Sequence, residues 1–216
     1  MAFQPALEGL EACTRCPRLS RALAGVRVAH EGYHARPVPP FGDQAPRLLV
    51  VGLAPGLHGA NRTGRPFTGD YAGELLYGTL YRFGWASAPA SVARDDGLVL
   101  GGCRITNAVK CWPPANKPLP GEVRECNAYL AEELGALAPG AAVLALGQVA
   151  HGAVLRTLGL RAGHAPFGHG VQADLPGGRT LFASYHCSRY NTQTRRLTAA
   201  MFEDVFRAID VRLGRG

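Results

Sequence analysis

The sequence of 216 residues predicts an α/β protein of three layers, in which helices cover both faces of a central parallel sheet. Two observations support this fold class. Four short apolar runs alternate with longer segments of helical periodicity, which is the order of elements in parallel sheets. Apolar residues make up 47% of the chain, enough for a hydrophobic core. Because no internal repeat or low-complexity linker divides the chain, we predict one domain over residues 1–216.

The first half of the chain contains two predicted strands and two predicted helices. Leucines at helical spacing predict an N-terminal helix over about 5–23, which would carry Cys13 and Cys16. The proline-rich segment 36–46 predicts a rigid loop, since proline fixes φ and lacks a donor. A strand over 47–52 follows, and then a helix from Ala72 to Phe83 that stops at a glycine. The second strand covers about 103–109.

The second half repeats the alternation of strands and helices. Strands are predicted at Ala142–Leu146 and at about 180–184. A segment rich in His and Gly, 162–174, is predicted as a loop. The three helices of this half cover 121–137, 148–158 and 196–213.

The charge balance favours a polyanionic partner. The formal charge is +7, from 23 Lys and Arg against 16 Asp and Glu, and only two of the basic residues are lysines. Arginine's planar fork suits phosphates and guanine. Residues 1–12 lack the basic and then apolar start of a secretory signal, and no apolar run approaches the ~20 residues that span a bilayer. We therefore expect a cytoplasmic protein that does not enter the membrane.

Four of the six cysteines form a two-plus-two set, Cys13 with Cys16 and Cys111 with Cys126. The Cys-x-x-Cys spacing allows two thiolates to reach one metal or cluster from a single turn. A structural zinc, an iron–sulfur cluster and unligated thiols all fit this spacing. Pro17 after Cys16 tilts the choice slightly toward a cluster. Cys103 has the position of a small buried hydrophobic residue.

Three of the predicted strands end in clusters of small or polar residues. The first strand runs into Gly52-Leu-Ala-Pro-Gly56 and then Gly64–Asp70, the second into Asn107, and the last into Tyr185–Thr194. Ligands of open parallel sheets bind at the carboxyl ends of the strands. The three clusters therefore suggest one shared pocket for a planar ligand.

The first cluster allows a close approach of backbone amides to that ligand, although an ordinary turn after a strand has the same composition. It has neither the Gly-Lys-Ser/Thr of a P-loop nor the spaced glycines of a dinucleotide fingerprint. Phe67 can stack on a base or fill the core. Asp70 can position water or cap the helix that begins near Ala72, and the two roles are compatible.

The other two clusters supply groups that recognise and activate a ligand. The Asn107 amide can pair with the edge of a base or hold a loop backbone. His186 is the best candidate for chemistry, because a neutral imidazole can donate to a developing oxyanion, while its alternative role is structural. The loop of residues 188–194 carries Arg189 and Tyr190, and Arg195 and Arg196 follow it. Basic and aromatic residues interleaved in this way are typical of phosphate anchoring and insertion between bases. The alternative is a solvated loop that only precedes the last helix.

Taken together, these motifs resemble those of the type-5 uracil-DNA glycosylases, iron–sulfur members of the uracil-DNA glycosylases, over nearly the whole chain. Leu53 stands where other branches have a polar residue after the first glycine, and this favours type 5 over type 4. The motifs are Gly52-Leu-Ala-Pro-Gly56, Arg62-Thr-Gly-Arg-Pro-Phe-Thr-Gly-Asp70, Thr106-Asn-Ala-Val-Lys-Cys-Trp-Pro-Pro114, Tyr185-His-Cys-Ser-Arg-Tyr-Asn-Thr-Gln-Thr194, and the four cysteines.

The resemblance implies a four-stranded parallel sheet between helices and a structural [4Fe–4S] cluster on Cys13, Cys16, Cys111 and Cys126. It implies an enzyme that removes uracil from DNA, with tolerance for hypoxanthine or other altered bases. The alternatives are a type-4 enzyme and a non-catalytic iron–sulfur or zinc protein that binds nucleic acid. We expect a monomer with DNA as its partner.

The resemblance also assigns roles to the residues of the three clusters. Asp70 and His186 would be catalytic, with Asp70 orienting water or stabilising the sugar cation. The base would contact six residues: Gly52, Ala54, Pro55, Gly56, Phe67 and Asn107. The DNA strand would contact six more: Arg62, Arg65, Ser188, Arg189, Tyr190 and Asn191.

Overall fold

The computed structural model describes residues 9–215 and has a six-stranded sheet at its centre. The strand order is β1-β3-β2-β4-β6-β5. The four inner strands are parallel, and the two edge strands pair antiparallel to their neighbours. The α/β class and the four predicted strands are confirmed. The strands are β1 (Phe41–Gly42), β2 (Leu48–Gly52), β3 (Cys103–Asn107), β4 (Ala142–Leu146), β5 (Gln172–Leu175) and β6 (Arg179–Ser184).

The edge strands were missed because they are short and lie in segments with loop composition. β1 occupies two residues of the proline-rich segment 36–46, and β5 begins within the segment 162–174 that we predicted as a loop. Both are held by pairing with an inner strand rather than by their own apolar pattern. Such pairing is a long-range contact, which local periodicity does not report.

Seven helices lie within the described part of the chain. They are α1 (Pro17–Ala29), α2 (Ala60–Thr63), α3 (Tyr71–Arg82), α4 (Pro120–Gly135), α5 (Gln148–Thr157), α6 (Arg189–Gln193) and α7 (Ala199–Arg212).

The predicted N-terminal helix is wrong in its position. Cys13 ends a single 3₁₀ turn and Cys16 has an extended backbone, so neither cysteine lies in a helix. α1 begins only at Pro17, whose fixed φ and missing N–H suit the first helical position. The part of the prediction that covers residues 5–8 lies outside the described residues. The short helix α6 also corrects the loop predicted over 188–194.

Two hydrophobic cores lie on opposite faces of the sheet. Side chains alternate across a strand, so Leu49 and Val51 of β2 face one core while Leu48 and Val50 face the other. The first core is covered by α1, α4 and α5, and the second by α3 and α7. This arrangement gives the three layers that the alternation of elements predicts. Among residues 9–215, no helix combines the length and apolar character needed to cross a membrane.

The register of the inner strands brings their carboxyl ends to one edge. Gly52, the last residue of β2, lies opposite Asn107, the last residue of β3. Leu146 of β4 lies opposite Ser184, the last residue of β6. The segments that follow these residues therefore start side by side.

Candidate active site

A cavity of about 380 Å³ opens at the carboxyl ends of β2 and β3. Residues of all three strand-end clusters line it, so the shared pocket predicted from the sequence is present. The lining includes Ala54, Gly56, Phe67, Asp70, Asn107, His186 and Ser188.

The Phe67 ring forms one wall of this cavity. It lies nearly parallel to the His186 ring, with the centroids 5.9 Å apart and 26° between the planes. The backbone of Phe67 has φ of 53°, which is rare for a bulky residue and is often kept at ligand sites. A Cβ at Gly52 would lie 2.6 Å from the Phe67 ring and closer still to the Asn107 Oδ1. The glycine at the end of β2 is therefore required for both side chains to stand where they do.

Asn107 presents an unsatisfied amide oxygen. The residue is 3% exposed, and its Oδ1 has no hydrogen-bond partner among the described residues. A buried carbonyl oxygen without a donor costs free energy. A ligand that offers an N–H at this point of the cavity would remove that cost.

Asp70 caps α3 and at the same time lines the cavity. Its Oδ1 accepts a hydrogen bond from the Gly73 N–H at 3.2 Å, so the capping role is present. Burial raises the pKa of Asp70, against the backbone N–H groups of Gly73 and Ala72, which lower it. A Cβ at Gly59 would come within 2.7 Å of the Asp70 Cβ and Cγ. The carboxyl group is thus packed between the loop after β2 and the start of α3.

His186 is held as a neutral imidazole. Burial lowers its pKa to about 4, so the ring is uncharged at neutral pH and retains one N–H to donate. The Asn191 side-chain amide donates to the His186 carbonyl at 2.8 Å. The preceding residue, Tyr185, donates its backbone N–H to the His169 Nδ1 at 3.3 Å and stacks on that ring. His169 had no motif around it that could have marked it from the sequence.

Five of the six predicted DNA-contacting residues divide into two groups. Arg62, Arg189 and Tyr190 are exposed, and Tyr190 on α6 has 71% of its surface accessible. Ser188 caps α6 and lines the cavity, while Asn191 is engaged with the His186 carbonyl. The first three lie at the surface, where the Arg62 Nε also donates to the His58 carbonyl at 2.6 Å, and the other two shape the pocket.

Arg65 lies inside the fold. It is 4% exposed, and its Nη1 donates to the Asp96 Oδ1 at 2.6 Å and to the Ser91 Oγ at 2.9 Å. Its guanidinium also lies over the Phe41 ring, 4.2 Å from the centroid. This placement argues against the predicted DNA contact and gives Arg65 the role of anchoring the loop before β3.

A second depression of about 280 Å³ adjoins the cavity. Leu53 and His186 line both spaces. Arg196, whose guanidinium lies 4.7 Å from the Tyr185 ring centroid, lines the second one. The sequence placed Arg196 among the basic residues that suit phosphate anchoring, and the structure brings it to the edge of this second space. The apolar Leu53 stands at the junction of the two spaces.

The four cysteines of the two-plus-two set surround one small cavity of about 10 Å³. They come from the turn before α1, the segment after β3 and the middle of α4, and all are free thiols. Burial, followed by the charge of Cys126, raises the pKa of Cys16 to about 11. Within residues 9–215, no three Cys, His, Asp or Glu side chains are arranged to hold a single metal ion.

Comparison with known proteins gives a consistent family. A family model described as "Uracil DNA glycosylase superfamily" matches residues 39–210. A type-5 uracil-DNA glycosylase of Thermus thermophilus is 50% identical over 204 residues, covering 92% of this chain and 93% of the relative. A second, from Pyrobaculum aerophilum, is 46% identical over 199 residues, with 90% and 86% covered. A type-4 uracil-DNA glycosylase of the same organism is 34% identical over 163 residues, with 75% and 69% covered.

Proposed function

The chain belongs to the uracil-DNA glycosylase superfamily, and on this premise we propose that it removes uracil from DNA by hydrolysing the N-glycosidic bond. Its similarity to type-5 members exceeds its similarity to type-4 members, in agreement with the apolar Leu53. The observation that carries the proposal is one cavity with an aromatic face, a neutral imidazole and an amide oxygen that has no partner among the described residues. The product is DNA with an abasic site.

Base recognition starts with extrusion of the nucleotide from the stack, at a cost of a few kcal/mol. Phe67 stacks on the flipped base. The Asn107 amide carries an acceptor and a donor, which match the N3–H and O4 of uracil. Cytosine offers an acceptor and a donor in the reverse order at this edge, so the same amide rejects it in that orientation. Hypoxanthine presents N1–H and O6 with the uracil pattern, and we include it among the substrates.

Bond cleavage transfers the electron pair of the C1′–N1 bond to the base. The leaving group is a uracil anion, and the sugar becomes an oxocarbenium-like cation. The neutral His186 donates a hydrogen bond to the anion, the electrostatic stabilisation that an oxyanion hole provides. Water then adds to C1′ and loses a proton to give the abasic sugar, and one proton in turn neutralises the uracil anion, so the products are the abasic sugar and uracil.

Asp70 is the carboxyl group that lines the cavity. Leu53 has no polar atom that could bind water at the start of the first motif. Asp70 therefore either orients the attacking water or stabilises the cation on the sugar, through the oxygen that is not engaged in capping.

The DNA backbone is gripped at the rim of this cavity. Arg62 and Arg189 are exposed cations on the two short helices α2 and α6, and the exposed Tyr190 follows Arg189 on α6. Arginine anchors phosphates, and an inserted aromatic side chain can hold the duplex open. One chain completes the pocket and its rim, so we expect the enzyme to work as a monomer.

The four cysteines are proposed to hold a [4Fe–4S] cluster of structural function. Their chemistry fits, because four thiols are the ligand set of such a cluster and a metal deprotonates the thiols it binds. The cluster would join the turn before α1, the segment after β3 and α4. Cys126→Ser should remove the broad visible absorption of a brown protein, whereas a zinc protein would be colourless in both forms.

The function is tested with duplexes that contain uracil, hypoxanthine or normal bases. Wild-type protein should produce alkali-sensitive abasic sites in uracil duplex, and His186→Ala should reduce the single-turnover rate at least 100-fold while DNA binding persists. Absence of abasic product from every duplex contradicts the proposal. Unchanged base release by His186→Ala contradicts the assigned role of that residue, and tight DNA binding without release favours the non-catalytic alternative.

A further inference from the structure

A charged pair is buried beside the active site and takes no part in the proposed chemistry. The Lys110 Nζ lies 2.5 Å from the Glu133 Oε2, and the two side chains are at most 1% exposed. The Thr106 hydroxyl donates to the same carboxyl oxygen at 3.0 Å and also contacts the Lys110 Nζ. The three groups therefore form a closed triangle in the protein interior.

This triangle connects the base pocket with the cysteine cavity. Thr106 precedes Asn107 in β3, and Lys110 precedes Cys111 and lines the cysteine cavity. Glu133 lies on α4, the helix that carries Cys126. The pair links this helix to the segment 106–111. Asn107, near one end of the segment, is the proposed base-binding residue, and Cys111 at the other end lines the cysteine cavity.

The backbone of this segment is held from its other side by hydrogen bonds. The N–H of Ala108 donates to the Gly52 carbonyl at 2.9 Å, and the N–H of Val109 donates to the Leu53 carbonyl at 3.0 Å. The Lys110 carbonyl accepts from the N–H of Val38 at 2.7 Å. These backbone hydrogen bonds hold one side of the segment, and the Thr106–Lys110–Glu133 triangle holds the side that faces α4.

Stability alone does not account for such a pair. Removal of two charges from water costs several kcal/mol, and apolar residues of similar volume often stabilise a fold as well or better. A charged pair adds directional hydrogen bonds, and these restrict the relative positions of the two side chains and of the segments that carry them.

We propose that Lys110 and Glu133 are positioning residues, which hold the end of β3 so that the Asn107 amide meets the edge of the flipped base. This inference rests on the proposed function, in which Asn107 reads the base. It predicts that loss of the pair weakens catalysis through Asn107 and not through general unfolding.

The test uses variants that separate position from stability. Lys110→Met leaves a buried carboxylate without its partner and should lower Tm by about 10 °C. The double variant Lys110→Met/Glu133→Leu removes both charges and should recover part of that loss, because Glu133 also interacts with the charge of the buried Arg104. The control, Arg82→Met/Glu203→Gln, removes an ion pair between α3 and α7. All rates are measured well below the lowest Tm.

The deciding measurement is the single-turnover release of uracil in two backgrounds. The double variant should lose about tenfold in rate in the wild-type background and less than twofold in the Asn107→Ala background, because residues that act as a unit are not additive. The control pair should change neither rate. Equal losses in both backgrounds, or no loss at all, would overturn the inference.

A second readout does not depend on catalysis. Amide hydrogen exchange of residues 106–111 should be at least tenfold faster in the double variant than in wild type, while the strand β4 keeps its protection. Unchanged exchange in this segment would overturn the inference even if base release were affected. Failure of the proposed function is recognised separately, as absence of uracil release by the wild-type protein.

Discussion

The two roles of Asp70, as helix cap and as catalytic carboxylate, can be separated by two substitutions. Asn caps a helix about as well as Asp, whereas Ala cannot accept the hydrogen bond from the Gly73 N–H. Both substitutions remove the ionisable carboxyl group from the cavity. Asp70→Asn therefore tests the chemistry alone, and Asp70→Ala tests chemistry and cap together.

The structure sets the expected stability of each variant. Loss of the cap in Asp70→Ala costs about 1 kcal/mol, or about 3 °C in Tm for a chain of this size. Because burial raises the pKa of Asp70 in the folded protein, its ionised form destabilises the fold above the ordinary carboxyl range. Asp70→Asn should thus be at least as stable as wild type at pH 7. This advantage should disappear as the pH falls below the pKa of the carboxyl in the unfolded chain.

The two variants should differ in stability but not in their loss of activity. If the carboxylate orients water or stabilises the sugar cation, both variants should lose about 100-fold or more in single-turnover release of uracil. Glu74→Gln is the matched control, since it removes a nearby exposed carboxylate in the first turn of the same helix. Near wild-type release by Asp70→Asn would refute the catalytic role and leave Asp70 as a cap.

Three further predictions concern residues around the cavity. The pKa of His186 is about 4 in the folded protein and 6.5 ordinarily. The free energy of unfolding of wild type should therefore fall by up to about 3 kcal/mol as the pH falls through this interval. Urea unfolding should show no such loss for His186→Gln. Arg65→Met should lower Tm by about 10 °C, because it breaks a buried ion pair, and should leave the salt dependence of DNA binding unchanged. Arg62→Met should leave Tm unchanged and should reduce the slope of log K against log salt concentration by about 1. Gly52→Ala should lower the free energy of unfolding by about 2 kcal/mol and abolish most base release, since the added methyl group meets two pocket side chains. The control is Gly25→Ala in α1, where the methyl group faces open space. It should reduce neither stability nor base release.

Local pattern was sufficient for much of the fold. The inner strands are continuous apolar runs because both faces of the sheet are buried, and each run was found within two residues of its observed bounds. The polar groups that end these runs converge because parallel strands place their carboxyl ends at one edge. Where local pattern failed, as at β5 and at the start of α1, a long-range pairing or an extended cysteine set the backbone.

The sequence by itself determined the α/β class, the order of the four inner strands along the chain and the residue types at their ends. These follow from periodicity and from the chemistry of single residues, which do not depend on distant partners. Only the tertiary structure decided which of the polar residues are available. It turned Arg65 inward to Asp96, joined Lys110 to Glu133 across the fold, and left the Asn107 oxygen without a partner within residues 9–215. Whether a side chain is buried or paired depends on segments far apart in the chain. A residue of the same type can therefore line the pocket at one position and pack in the core at another.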